Sequence, residues 1–110
     1  LDFKTYIHEH VCWSLDTFGP VIHRGPEGPM DHLKKEIAEL ETSIAEGSTD
    51  IEEVADVIIL AIDIAIRSGA NPEAICNTLK LKQRKNMSRV WPDWRTAPKN
   101  KAIEHDRSFD

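Results

Sequence analysis

The helix expected from about residue 51 to about Ser68, IEEVADVIILAIDIAIRS, constrains this chain of 110 residues more than any other stretch. Val54, Val57, Ile58, Ile59, Leu60, Ile62, Ile64 and Ile66 fall on nearly every side of a 3.6-residue period. A helix apolar all round is expected at the centre of a bundle, buried by its neighbours. Its Ile and Val content argues for a strand, but a length of about 18 residues and clean ends decide for a helix. Ser48, Thr49 or Asp50 offers the N-cap, Glu52 or Glu53 completes a capping-box-like start, and Gly69 supplies the stop. The longest apolar run, Val57–Ile66, is interrupted by Asp63 and is about half of what a bilayer requires, which excludes a membrane span.

The flanking segments also read as helices. Phe3, Tyr6, Ile7, Val11 and Leu15 give a helical pattern over 3–15. Residues 17–29 carry Gly19, Gly25 and Gly28 with Pro20, Pro26 and Pro29, and read as a structured loop. A second helix is expected from Met30 or Asp31, with Asp31 as cap and a narrow stripe of Leu33, Ile37, Leu40 and Ile44. Gly47 ends it. Asn71 followed by Pro72 is an N-cap with proline at the first helical position. The fourth helix carries Ile75, Cys76, Leu79 and Lys82 and meets no breaker before Pro92. From about residue 91 an irregular tail is expected to pack on the helices or on a partner chain. No run alternates long enough to demand a sheet. The reading is all-α: one domain over 1–110, a four-helix bundle, with self-association compensating for the modest core of so short a chain.

The net charge of −5 is uneven. Residues 31–63 hold ten acidic and two basic residues, whereas 64–110 hold five acidic and ten basic ones. The acidic excess excludes a global attraction to polymeric nucleic acid or anionic membrane. The split points either to two solvated faces or to a site needing both signs, such as a metal with a phosphate. Cys12 and Cys76 stand far apart without CxxC spacing, as in a reducing, cytoplasmic setting.

Glu36 and Glu39 lie three apart on the second helix, and Glu53 and Asp56 three apart on the third. Each pair shares one side of its helix. If the two helices pack antiparallel about the short turn, four carboxylates converge and need a cation. Hard oxygen donors in that number suit Mg²⁺ or Mn²⁺. Solvated surface glutamates are the alternative. Asp63, two turns beyond Asp56, is open to three roles: a ligand, a residue orienting the ligands, or the acceptor for a basic side chain, an Arg or Lys from a neighbouring helix. Lys82, Asn86 and Arg89, spaced four and three with Lys85 at their edge, form a fork of donors suited to phosphate oxygens, or else a solvated helix end. Trp91 and Trp94 follow, either stacking on a nucleobase or anchoring the tail. His32, one turn before Glu36, either contacts the cluster or its phosphate or is a surface histidine. His8, His10 and Cys12 point to different sides of a helix and make a poor metal site.

Taken together, ExxE (Glu36 to Glu39), ExxD (Glu53 to Asp56) and KxxxNxxRxWP (Lys82 to Pro92) resemble the MazG-like all-α nucleotide pyrophosphohydrolases. The segments TFGP (17–20), HLKKEIAELE (32–41), EEVADVIILAID (52–63), KQRKNMSRVWPDW (82–94) and IEH (103–105) are similar to the phage dATP/dGTP pyrophosphohydrolase (MazZ-like) branch. Lys35 departs from the pattern where many relatives carry a further Glu. The resemblance implies hydrolysis of a nucleoside triphosphate, of purine type (dGTP or dATP), to the monophosphate and pyrophosphate. It implies Mg²⁺ or Mn²⁺ on Glu36, Glu39, Glu53 and Asp56, and a homodimer or homotetramer in the cytoplasm, that of the host if the chain is of phage origin. Glu39 would then orient or deprotonate water, with Glu36 and Lys82 also catalytic. Lys82, Lys85, Asn86, Arg89, Trp91, Trp94, His32 and Asp63 would contact substrate. A nucleotide sensor without turnover, or a helical interaction module, is the competing reading.

Overall fold

The computed structural model describes residues 2–110, apart from the Phe109 side chain. Among the described residues there are four α-helices and no strand: α1 (Phe3–Phe18), α2 (Glu27–Ala45), α3 (Ile51–Arg67) and α4 (Pro72–Ser88). Short 3-10 turns follow at Trp94–Thr96 and Arg107–Phe109. The chain forms two compact units, Leu1–Cys76 and Asn77–Asp110.

Local chemistry sets the helix ends. The Asp2 carboxylate accepts from the Thr5 N–H at 2.8 Å and opens α1, and Gly19, at φ 90°, closes it. Asp50 accepts from the Glu52 N–H at 2.9 Å. The reciprocal arm of the expected capping box goes elsewhere, because Glu53 accepts from the Ser43 hydroxyl at 2.9 Å. Asn71 caps α4 through the Ala74 N–H at 2.8 Å, with Pro72 at the first helical position.

The connection between the first two helices is shorter than the Gly/Pro pattern predicts. α1 continues past Leu15 to Phe18, and α2 begins at Glu27 rather than at Met30 or Asp31. Pro29 therefore sits in the first turn of a helix. It is tolerated there because the first four N–H groups of a helix have no partner within it.

The core of the first unit is small: Ile7, Ile62, Ile66 and Ile75, with Tyr6, Val11, Ala65, Ala70 and Cys76 packed against them. α3 is not buried on all sides as its composition predicts. Ile62, Asp63, Ile66 and Arg67 are buried, but Ile51 and Ile58 are 76% and 50% exposed. The α2 stripe is likewise only partly covered, with Ile37 and Ile44 exposed. The physical reason is neighbour count: α1 and α2 pack along α3, the first turn of α4 adds Ile75 against Ile62 and Ile66, and the side carrying Ile51 and Ile58 stays uncovered. Both cysteines are free thiols. No described helix is long and apolar enough to cross a membrane.

In the second unit the tail folds back on the end of α4. The Trp91 indole N–H donates to the Asn86 carbonyl at 2.7 Å, satisfying one of the carbonyls that a helix end leaves open. The Asp106 N–H donates to the Val90 carbonyl at 2.7 Å, and the His105 ring meets Trp91 edge-on at 5.6 Å.

Candidate functional site

α2 and α3 form an antiparallel hairpin. Ser43 meets Glu53 near the turn, while further along Glu36 of α2 and Asp56 and Leu60 of α3 line one cleft. α1 closes that cleft with His10, Trp13 and Phe18. Its volume is about 340 Å³, and Ile59, Asp63 and His32 complete the lining. An adjoining hollow of about 180 Å³ shares Phe18, His32, Leu60 and Asp63 and extends to Arg24, Gly25 and Arg67. The cleft thus has a carboxylate side, Glu36 and Asp56, and an aromatic side. There the Trp13 and Phe18 rings meet edge to face at 5.3 Å.

The hairpin places the four predicted metal carboxylates differently. Glu36 and Asp56 share the cleft. Glu36 is held by His32, whose Nε2 lies 3.2 Å from its Oε1. Glu53 faces Ser43, and Glu39 is exposed on α2. Among the described residues no three His, Cys, Asp or Glu side chains stand close enough together to enclose an ion. His32 is an exposed side chain that also contacts Glu36.

Asp63 is the acceptor for a basic side chain, but the arginine stands four residues along its own helix rather than on a neighbouring one. Asp63 is 5% exposed. Its Oδ1 accepts from the Ser14 hydroxyl at 2.6 Å and lies 3.0 Å from His10 Nε2, and its Oδ2 accepts from Arg67 Nε at 3.3 Å. Arg67 in turn donates through Nη2 to the Ser14 carbonyl and hydroxyl, both at 2.9 Å. Its Nη1 donates to the carbonyls of Gly19 at 3.1 Å and Arg24 at 2.8 Å. This buried polar group is satisfied throughout, as the low dielectric around it demands.

The predicted phosphate donors and tail aromatics belong to the second unit. Lys82 and Lys85 are exposed on α4. Arg89 lies just past the helix and donates through Nη1 to Asn86 Oδ1 at 3.1 Å. His105 Nε2 lies 3.0 Å from Asp110 Oδ2, and Arg89 Nε lies 3.9 Å from Asp110 Oδ1. The His105 hydrogen bond, with the charges of His105, Arg89 and Arg107, holds the Asp110 carboxyl below its ordinary value. Trp91 ties the start of the tail to the end of α4 through its bond to the Asn86 carbonyl. Trp94 remains exposed, with the Arg95 guanidinium 5.1 Å from its ring centroid.

Sequence reasoning missed Trp13 and Phe18 as cleft residues and His10, Ser14 and Arg67 as a buried network. A signal existed. His10 and Ser14 continue the stripe begun by Ile7, and Asp63 and Arg67 are an i, i+4 pair on an otherwise apolar helix.

No curated protein and no solved structure matches the chain. A family model does, over residues 6–109, and it describes dATP/dGTP pyrophosphohydrolases. That span takes in the cleft helices, the basic end of α4 and the tail alike, so the chain belongs to the dATP/dGTP pyrophosphohydrolase family and is a hydrolase of nucleoside triphosphates.

Proposed function

We propose that the protein hydrolyses dGTP or dATP to the monophosphate and pyrophosphate, with the triphosphate drawn to Glu36 and Asp56 and the purine to Trp13 and Phe18. The observation that carries this reading is the two-sided cleft: carboxylates from two helices facing the same space as an aromatic pair. Its volume, about 340 Å³, falls within the range of small-molecule sites. An aromatic face accepts a planar base, and a purine offers more stacking area than a pyrimidine.

Carboxylates repel phosphate oxygens, so this end of the cleft needs a divalent cation to accept a triphosphate. Two carboxylates, Glu36 and Asp56, face the cleft where such an ion would sit. Glu36 and Asp56, with Glu39 and Glu53 on the same hairpin, offer the hard oxygens that Mg²⁺ or Mn²⁺ prefers. When bound, such an ion polarises the phosphoryl group and lowers the pKa of water. The chain's own residues do the rest. His32 orients Glu36 through their contact at 3.2 Å. Glu39 serves as the acceptor that orients or deprotonates water. Lys82, Lys85, Asn86 and Arg89 supply donors to phosphate oxygens. A homodimer or homotetramer covers the exposed Ile51 and Ile58 of α3, and the enzyme works in the cytoplasm, where Cys12 and Cys76 stay reduced.

A panel of deoxy- and ribonucleoside triphosphates with Mg²⁺ or Mn²⁺, assayed for pyrophosphate, tests this. Purine deoxynucleotides should react fastest. Glu36→Gln and Asp56→Asn should each slow release by about 100-fold, the usual scale for losing one charge-stabilising group. Wild-type rates in both variants would move the site elsewhere, and binding without release would make the protein a sensor.

A further inference from the structure

An arginine in the hollow beside a nucleotide cleft invites assignment to phosphate. Arg67 does not support it. A guanidinium has five N–H donors, and in Arg67 all are taken: one by Asp63, two by Ser14, one by Gly19 and one by Arg24. Its side chain is 1% exposed. Moving it to a phosphate would strand three carbonyls and a buried carboxylate.

The acceptors show what it does instead. Gly19 and Arg24 bracket the connection between α1 and α2, and both their carbonyls converge on one nitrogen, Nη1. Phe18, just before that connection, has its ring centroid 6.0 Å from the guanidinium carbon. Phe18 and Arg24 line the space beside Asp63. One buried cation of α3 therefore fixes both ends of the connection that follows Phe18, the last residue of the cleft's aromatic side, and Asp63 fixes the cation in turn.

We propose that Arg67, oriented by Asp63, is a positioning residue that sets the base end of the nucleotide site without touching the triphosphate. The proposal rests on the reading of the cleft as that site. It separates two quantities. Substrate binding depends on Phe18, which stands beside Arg67 and just before the connection it holds, so it responds to Arg67. The chemical step and ion binding depend on the hairpin carboxylates, so they do not.

Arg67→Lys keeps the charge but lacks the planar fork. With the folded variant, KM for dGTP, and Kd for dGTP measured by calorimetry with Ca²⁺, should rise about tenfold, roughly the loss of one good hydrogen bond. The kcat value should stay within about twofold, and Mn²⁺ affinity without nucleotide should be unchanged, since ΔΔG‡ then lies in binding alone. An unchanged KM and Kd, or a fall in kcat at constant KM, overturns the proposal. If Arg67→Lys does not fold, Ser14→Ala decides. It removes a single hydroxyl between Asp63 and Arg67, and it must raise KM at near-constant kcat or the proposal fails. The two readings separate cleanly: no pyrophosphate from the wild type refutes the proposed function, whereas an active wild type with indifferent variants refutes the clamp.

Discussion

Asp63→Asn is the most informative single perturbation of the fold. Asparagine preserves the shape but removes the charge and one acceptor. The carboxylate accepts at 2.6 Å from Ser14 and at 3.3 Å from Arg67, with His10 at 3.0 Å. If the amide oxygen keeps Ser14 and His10, its NH₂ points at the Arg67 Nε–H. If it keeps Arg67, the NH₂ points at Ser14 and His10. The first orientation sets a donor against a donor, and the second forces the Ser14 hydroxyl to give up its donation and His10 Nε2 to act as an acceptor. The Arg67 and Asp63 side chains are 1% and 8% exposed, so solvent screens little of the loss. Removing one partner of a buried pair costs about 3–5 kcal/mol, and the isosteric amide places the expectation near the lower bound, about 3 kcal/mol. That is a large share of a typical domain stability of roughly 5–15 kcal/mol. It lowers Tm by roughly 12–24 °C in a domain of this size. Urea unfolding followed by far-UV circular dichroism reads it directly, with an unchanged m-value showing that the loss is in the native state. Asp56→Asn is the matched control. The same chemistry on the exposed Asp56 should change stability by no more than about 0.5 kcal/mol. A loss below about 1 kcal/mol for Asp63→Asn, the scale of an exposed ion pair, would refute the assignment of a buried, charge-dependent network.

Ile7 is fully buried among Ile62, Ile66 and Ile75, so Ile7→Ala should cost about 3 kcal/mol, visible as a lowered urea midpoint. Asn71→Ala removes the cap on the Ala74 N–H and should cost about 1 kcal/mol by the same measurement. The acid limb of stability should carry a mark of Glu73. Its own backbone N–H, with Lys4 and His8 nearby, holds its carboxyl below the ordinary 4.5. A carboxyl lowered on folding stabilises the native state above its unfolded value and loses that contribution as pH falls through the folded value. The urea midpoint should therefore decline below about pH 4.5, and Glu73→Gln should flatten that decline. Asp2 adds a similar contribution at lower pH, because the Thr5 N–H lowers it from 3.8.

The helices were legible because their signals are local. Asp50, Asn71, Gly47 and Gly69 stand where the chain turns, and the apolar periods between them admit no sheet. The acidic hairpin was legible for the same reason: i, i+3 spacing puts two carboxylates on one side of each helix whatever packs against it. The start of α2 was misread because Pro29 looks like a breaker unless one knows that it falls in a first turn.

Burial was the property that local signals could not supply. The sequence of α3 declares an apolar helix but not how many neighbours it has, so the exposure of Ile51 and Ile58 needed the packing of α1 and α2. The role of Asp63 was open in sequence because a carboxylate among isoleucines requires a partner without naming one. Its partners lie 49 and 53 residues away on α1 and four residues away on its own helix. By itself the sequence determined an all-helical chain with an acidic hairpin and a basic end, since these follow from periods of three to seven residues. Only the tertiary structure decided which residues line the cleft and which carboxylate is a strut, because desolvation and hydrogen-bond satisfaction are properties of contacts between segments distant along the chain.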